Sequence, residues 1–382
     1  MGSDKGTRKH HLRSWTGIVV LAVVGMLAAG CSAAPTLSPS QQVDQIVSFV
    51  EVARGHTFTT PPAVQFLSDA AFRADVLANL DTSQAAVRAD DAAFTALGWI
   101  RPDQDLYTLY QVAFGGGVVG FYDPATKVLK VRGTDLTPYR REVIAHELTH
   151  ALDDQVHGLD DVPGGDGLID ETRLAALVAV EGSAVKVQQR YIDSMTDLER
   201  VQDLGEQLQL GSDPALLDVP ITLLTLTSAP YLRGSVFQQD LIARLGNPAG
   251  PDLSLTRYPA TTEQAFDTDR YVADEPAVAV AAPPADGPVV RSGTFGQFLL
   301  TLLLREGIAL DTVDGATVGW AGDAYVTWTA GARSCLRLDT RMDDRARADT
   351  LRTALTGWST RHAGASVTDL GGDTVRLTSC AG

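Results

Sequence analysis

The chain has 382 residues, 45% of them hydrophobic and 20% charged, with a formal net charge of −16. That length supports a sizeable core in one large or two modest domains, and the composition excludes a disordered or low-complexity chain. The acidic surplus argues against nucleic acid and anionic lipid as binding partners.

Lys5, Arg8, Lys9 and Arg13 form a basic region ahead of an apolar run, 15–29, which is too short to span a bilayer as a stable helix. The run ends in Leu27-Ala28-Ala29-Gly30-Cys31, which resembles a bacterial lipobox with its bulky residue one place early. Residues 1–30 therefore read as a lipoprotein signal peptide and Cys31 as the site of lipidation. The mature protein is then expected on the outer side of the cell membrane, held by its lipid anchor, with plain secretion as the alternative. Export to an oxidising compartment leaves Cys335 and Cys380 as an even pair, expected to form a disulfide. With the cysteines so assigned, any metal site has to use histidine and carboxylate.

Residues 31–40 are small, polar and proline-containing, as a flexible tether would be. The spacing of Val43, Ile46, Val47, Phe49 and Val50 predicts a helix over 41–54. A strand over 64–67 and helices over 69–80 and 90–97 follow, the last closed by Gly98. Residues 118–131 carry a hairpin signal: VVGFY and KVLKV flank Asp123-Pro124-Ala125-Thr126, whose Asp and Pro favour a tight turn. Gly115, Gly116 and Gly117 just before it allow the backbone to bend.

Thr137 and Pro138 read as the N-cap and first residue of a helix that runs to about Val156, with Gly158 as its stop. It contains His146-Glu147-Leu148-Thr149-His150. Residues four apart lie one above the other on a helix, so His146 and His150 present two imidazoles to one metal ion while Glu147 flanks it. A second long helix is predicted over 171–195. Its middle, AALVAVEGSAVKV, is small and apolar apart from Glu181 and one lysine. Burying an unpartnered carboxylate there would cost several kcal/mol. Glu181 therefore reads as the third metal ligand, with Glu171 as runner-up, although its place in the first helical turn is already explained by the helix dipole. Gly182 beside Glu181 suits a close helix crossing.

Residues 199–246 read as helical with breaks near 211–214, Pro220 and Pro230, and 246–291 as loop-rich. An apolar helix over 295–306 is too short to be a membrane span. Strands over 324–329 and 334–339, a helix over 343–358 and strands over 367–370 and 374–380 close the chain. Cys335 and Cys380 thus fall in strands, and their disulfide is expected to tie neighbours in one small sheet. The expected organisation is α+β, with a main domain over 41–313 and a C-terminal α/β subdomain over 314–382.

His146, His150 and Glu181 make up a His2Glu set suited to zinc, and Glu147 stands one residue along as the general base of hydrolysis. An oxyanion-stabilising group is also expected, and Tyr191, Tyr258, Tyr271 and Tyr325 are not separated by sequence. Asp153 or Asp154 is a candidate for orienting a ligand histidine, against the reading of both as solvated helix charge. His157 reads as a charge at the helix C-terminus, and His56 and His362 as surface residues.

AHELTHALDDQ followed by AVEGSA resembles the HExxH-plus-Glu, gluzincin-type zinc peptidases, and in particular a group of exported bacterial lipoproteins. That group's GFYDPxT hairpin, HELTHALQDQ helix, VEGxA helix, PxTTEQ segment and GWxGDxY turn correspond to residues 120–126, 146–155, 180–184, 259–264 and 319–325. The resemblance implies a zincin-like core with an edge strand along which extended substrate lies. It also implies a zinc cofactor and a peptide or protein substrate in the cell envelope. Asp153 stands where the group has Gln, Val156-His157-Gly158 replaces His-Phe-Asp, and Val185 occupies the place of an Asp in thermolysin-type relatives. The expected activity is zinc-dependent peptide hydrolysis. The alternatives are a non-catalytic binding or chaperone-type lipoprotein with a zincin-like fold, and a hydrolase of a non-peptide bond. Glu147 favours the enzyme, since a purely structural site has no use for a general base.

Overall fold

In a computed structural model, Ser38 opens the first helix, α1 (Pro39–Arg54), where its side chain accepts from Gln41 N while the Gln41 side chain accepts from Ser38 N. This capping box, with Pro39 in the first turn, starts the helix two residues earlier than the tether reading allowed. The structure describes residues 37–81, 83–306 and 315–382. The signal peptide, Cys31 and the expected boundary at 313/314 lie outside the described residues.

Strand β1 (Ala63–Leu67) and helices α2 (Asp69–Asp81), α3 (Gln84–Ala96) and α4 (Leu106–Gly117) follow. Helix α4 was not expected. Asp105 caps it by accepting from Thr108 N, and the glycines read as a bend form its last turn. The hairpin of β2 (Gly120–Asp123) and β3 (Val128–Arg132) closes through Asp123, which accepts from Ala125 N at 3.0 Å and Thr126 Oγ1 at 2.7 Å. Helices α5 (Pro138–His157) and α6 (Glu171–Ser194) come next, capped by Thr137 and Asp170.

Beyond α7 (Asp197–Gly211) lies α8 (Ile221–Leu245), which runs straight through Pro230. An interior proline costs about 3 kcal/mol in an unsupported helix. Here the buried face of Leu223, Leu226, Ala229, Gly234, Phe237 and Leu241 offsets that cost, so the expected break is absent. The loop-rich region contains short helices α9 (Ala249–Thr256), α10 (Thr262–Phe266) and α11 (Thr268–Val272). The chain ends with β4 (Val289–Gly293), α12 (Gly296–Arg305), β5 (Trp320–Ala330), β6 (Arg333–Met342), α13 (Arg345–Ser359), β7 (Ser366–Gly371) and β8 (Thr374–Ala381).

The fold is α+β with two sheets. The smaller has the order β1-β3-β2, with β1 parallel and β2 antiparallel to β3, so β2 is an edge strand. Its inner face and helices α1 and α5 share a core of Ile46, Val50, Leu129, Val131, Ile144, Leu148 and Leu152. The larger sheet is antiparallel in the order β4-β5-β6-β8-β7. Its core joins Trp320, Leu336, Leu338 and Trp358 to Phe94, Trp99 and Phe295, so elements from the first third of the chain complete the C-terminal sheet. Residues from Ser38 to Gly382 form one compact unit. Cys335 and Cys380 are disulfide-bonded and face one another across β6 and β8, as expected. Among the described residues, no helix is long and apolar enough to cross a membrane.

Candidate metal centre

The face of α5 that carries His146 and His150 packs against α6, and α6 in turn crosses α8. The crossing is close because both helices present glycine: a Cβ on Gly182 would stand 2.5 Å from the carbonyl oxygen of Gly234. The contact sets the height of α6, and with it the position of Glu181. Nε2 of His146 and Nε2 of His150 lie 3.0 Å apart, and Glu181 Oε2 lies 3.2 Å from the first and 3.3 Å from the second. Two imidazole nitrogens and one carboxylate oxygen therefore aim at a common point. His146 Nδ1 faces Gln188 Oε1 at 3.0 Å. Donation to that acceptor holds the ring proton on Nδ1 and leaves the Nε2 lone pair directed inward. The donor set fits a zinc ion, since it supplies three ligands and leaves one side open.

The electrostatics of the trio are tightly coupled. Burial works against charge on His150, but the Glu181 carboxylate outweighs it and pushes the imidazole up to about 9. Burial likewise opposes ionisation of Glu181, and the two rings override it, holding the carboxyl below the usual range. Glu147 is set apart by its position. Its Oε2 accepts from the backbone N of Tyr122 on edge strand β2 at 2.8 Å, and burial raises its pKa. The Tyr122 bond works the other way, but burial outweighs it, and a carboxylate so buried is a stronger proton acceptor than a solvated one.

Tyr231 of α8 completes the group. Its ring stacks on His146 with centroids 5.8 Å apart and planes 24° from parallel. The carboxylate of Glu181, to which its hydroxyl also hydrogen-bonds, and that of Glu147 push the hydroxyl pKa well up, so it remains a donor. Glu181 and Tyr231 also line a cavity of about 340 Å³ whose other walls include Leu80, Tyr110, Phe114 and Leu177.

The four tyrosines considered from sequence have other places. Tyr191 packs edge-on against Phe49, Tyr271 donates to Arg257 O at 2.8 Å, and Tyr325 is buried in β5. Tyr258 packs beside Leu159 and Leu255. Asp153 and Asp154 are both buried and both engaged. Asp153 accepts from Arg54 Nε at 2.7 Å and Ser183 Oγ at 2.6 Å, pinning α5 to α1 and α6. Asp154 accepts from Tyr122 Oη at 2.6 Å, Lys127 Nζ at 2.8 Å and Leu159 N at 3.0 Å, fixing the hairpin to α5. The solvated-charge reading is thus corrected for both. His362 is not a free surface residue either: its ring stacks on Trp358 at 3.7 Å.

Glu171 is separate from the trio. Thr262 of the TTEQ segment donates to its Oε1 through backbone N at 2.6 Å and through Oγ1 at 2.9 Å. Thr262 Oγ1 also accepts from Phe298 N at 3.0 Å. Asp323 of the GWAGDAY turn accepts from Phe295 N, Gly296 N and Trp320 Nε1 at 2.7–2.8 Å. These two motifs form one brace that joins the start of α6 to the start of α12.

Residues 285–380 match a family described as a domain of unknown function, DUF8575, which spans the larger sheet from β4 to β8. No curated protein and no solved structure matches the chain.

Proposed function

We propose that the protein is an extracytoplasmic, lipid-anchored zinc peptidase of the gluzincin type, with His146, His150 and Glu181 as zinc ligands and Glu147 as general base. The observation that carries this reading is the pairing of a three-ligand set with a carboxylate held beside it by an edge strand. Zinc bound by that set supplies a Lewis acid and lowers the pKa of water towards about 7. Glu147 takes a proton from the attacking water and returns it to the leaving amine. Its bond to Tyr122 N keeps it at the rim of β2, where an extended peptide can pair with the strand. Tyr231 Oη donates to the carbonyl oxygen as negative charge builds there. The cavity beside Glu181 and Tyr231, lined by Leu80, Phe114 and Leu177 with Asp166 and Arg173 among its polar walls, accommodates a substrate side chain.

The test combines metal analysis of the purified protein with cleavage of a diverse peptide library. Glu181→Ala is expected to lose the zinc of this centre. Glu147→Gln should keep that zinc and lose turnover by on the order of 10²–10⁴-fold. Tyr231→Phe should also keep it and lose on the order of 10²–10³-fold. A zinc-loaded wild type with no chelator-sensitive, Glu147-dependent cleavage of any substrate overturns the peptidase reading.

A further inference from the structure

Three side chains outside this centre converge in a similar way. His56, just beyond α1, His157 in the last turn of α5 and Asp252 in α9 bring potential ligand atoms within 4.8 Å of one another. His56 Nε2 lies 2.9 Å from both oxygens of Asp252, and His157 Nε2 lies 3.0 Å from Oδ1. The two rings meet edge to face with centroids 5.9 Å apart. His56 and His157, read from sequence as a surface residue and a helix-end charge, are thus parts of one cluster.

Hydrogen bonding alone accounts poorly for the arrangement. A carboxylate oxygen offers about two lone-pair directions, yet three nitrogens crowd Oδ1, because Arg54 Nη2 also stands 2.7 Å away. His157 Nε2 faces Arg54 Nη2 at 3.5 Å as well. One ring atom is therefore set between a donor and an acceptor and can satisfy only one of them. A cation shared by the two Nε2 atoms and the carboxylate removes that conflict, since all three then offer lone pairs.

The charges permit it. Arg54, 1% exposed, is shared between the equally buried Asp153 and Asp252, each 2.7 Å from one of its nitrogens, so one guanidinium faces two carboxylates and a negative charge remains to meet a cation. The C-terminal end of the 20-residue α5 adds the negative pole of its dipole beside His157. Side-chain exposures of 24% for His56 and 25% for Asp252 leave the outer side open to solvent for the remaining coordination positions.

We propose that His56, His157 and Asp252 bind a second divalent transition-metal cation, which clasps α1, α5 and α9 together. Two imidazoles and one carboxylate suit zinc, cobalt, nickel or copper, and not magnesium or calcium, which favour all-oxygen sites. The ion would fix the end of the helix whose middle carries His146 and His150.

The test reads zinc content and thermal melting of the full chain and needs no peptidase activity. Glu181→Ala isolates the new site. That variant is expected to retain one zinc per chain, and added zinc should raise its Tm in a concentration-dependent way. His56→Gln keeps an amide donor for Asp252, so the fold is retained while a ligand is lost. In the Glu181→Ala background it is expected to abolish both the zinc and the Tm shift, with the metal-free Tm unchanged. Asp252→Asn, which keeps an oxygen acceptor for Arg54, should likewise abolish the zinc and the zinc-dependent Tm shift, from a lower metal-free Tm because a partly buried ion pair is lost. A Glu181→Ala chain that binds no zinc overturns the proposal. So does a doubly substituted chain that binds as much as Glu181→Ala alone.

Discussion

Glu171 and Glu181 lie on one helix, the first buried and the second mostly so, yet they do opposite things. Glu181 meets two imidazoles, which favour its charged form. Glu171 meets only the amide and hydroxyl of Thr262, and burial pushes its pKa up to about 8 from 4.5. The folded state therefore holds the Glu171 proton more tightly than the unfolded chain does. Its contribution to stability is complete below pH 4.5 and is lost as pH rises through about 8. Tm is expected to fall across that interval, and Glu171→Gln, which keeps the acceptor for Thr262, should flatten the slope in melting curves taken at successive pH values. The two histidines of the candidate metal centre were legible because their chemistry sits at fixed helical spacing, and Glu181 because a lone carboxylate in an apolar helix needs a partner. Gln188 could have been found by the same rule, since it lies seven residues after Glu181 on the same face. Tyr231 could not be found by spacing. It arrives from a third helix, and its only sequence signal is Gly234 one turn on, a small residue able to meet Gly182.

That glycine pair governs how the elements assemble. Replacing Gly182 with Ala places a methyl where the Gly234 backbone now lies. The expected cost is about 1–3 kcal/mol from forced separation of α6 and α8. Because α6 carries Glu181 and α8 carries Tyr231, the same substitution should also weaken zinc binding. Denaturant midpoints and zinc affinity measured on one preparation check both. Most helices and strands were readable from periodicity and caps, as at Thr137 and Gly158. Glycines 115–117 and Pro230 were taken at their local preference. In α8 the buried face overrides that preference, while the glycines simply continue α4 by one turn. The position of β4 was hidden because an exposed strand of the sequence VVRSG has no alternation to mark it.

At the scale of the molecule, the matched family covers the larger sheet, while the candidate metal ligands lie in the part before it. The disulfide is a brace of that sheet and stands far from α5 and α6 in sequence. Removing it with Cys335→Ala and Cys380→Ala opens a loop of 45 residues. The expected loss is about 2–4 kcal/mol of stability, with zinc content unaltered, as measured by chemical denaturation beside metal analysis. That α+β architecture and the strand positions of both cysteines were legible from pattern. The joining of α3 to a sheet formed by the last hundred residues was not, because long-range packing leaves no periodic trace.

Strand β8 is the last element of the chain, yet it lies between β6 and β7, and Ser379 Oγ donates to the carbonyl of Ala96 at 2.6 Å. Without Thr374–Ala381 in place, β6 and β7 have no common neighbour, and the core that Phe94 and Trp99 share with the sheet is left without Val375 and Leu377. Contacts of such high sequence separation form slowly. The core of Ile46, Leu129, Ile144 and Leu148 needs nothing from β8. The two halves of the molecule can therefore become ordered at different times, the helix that carries His146 and His150 ahead of the larger sheet.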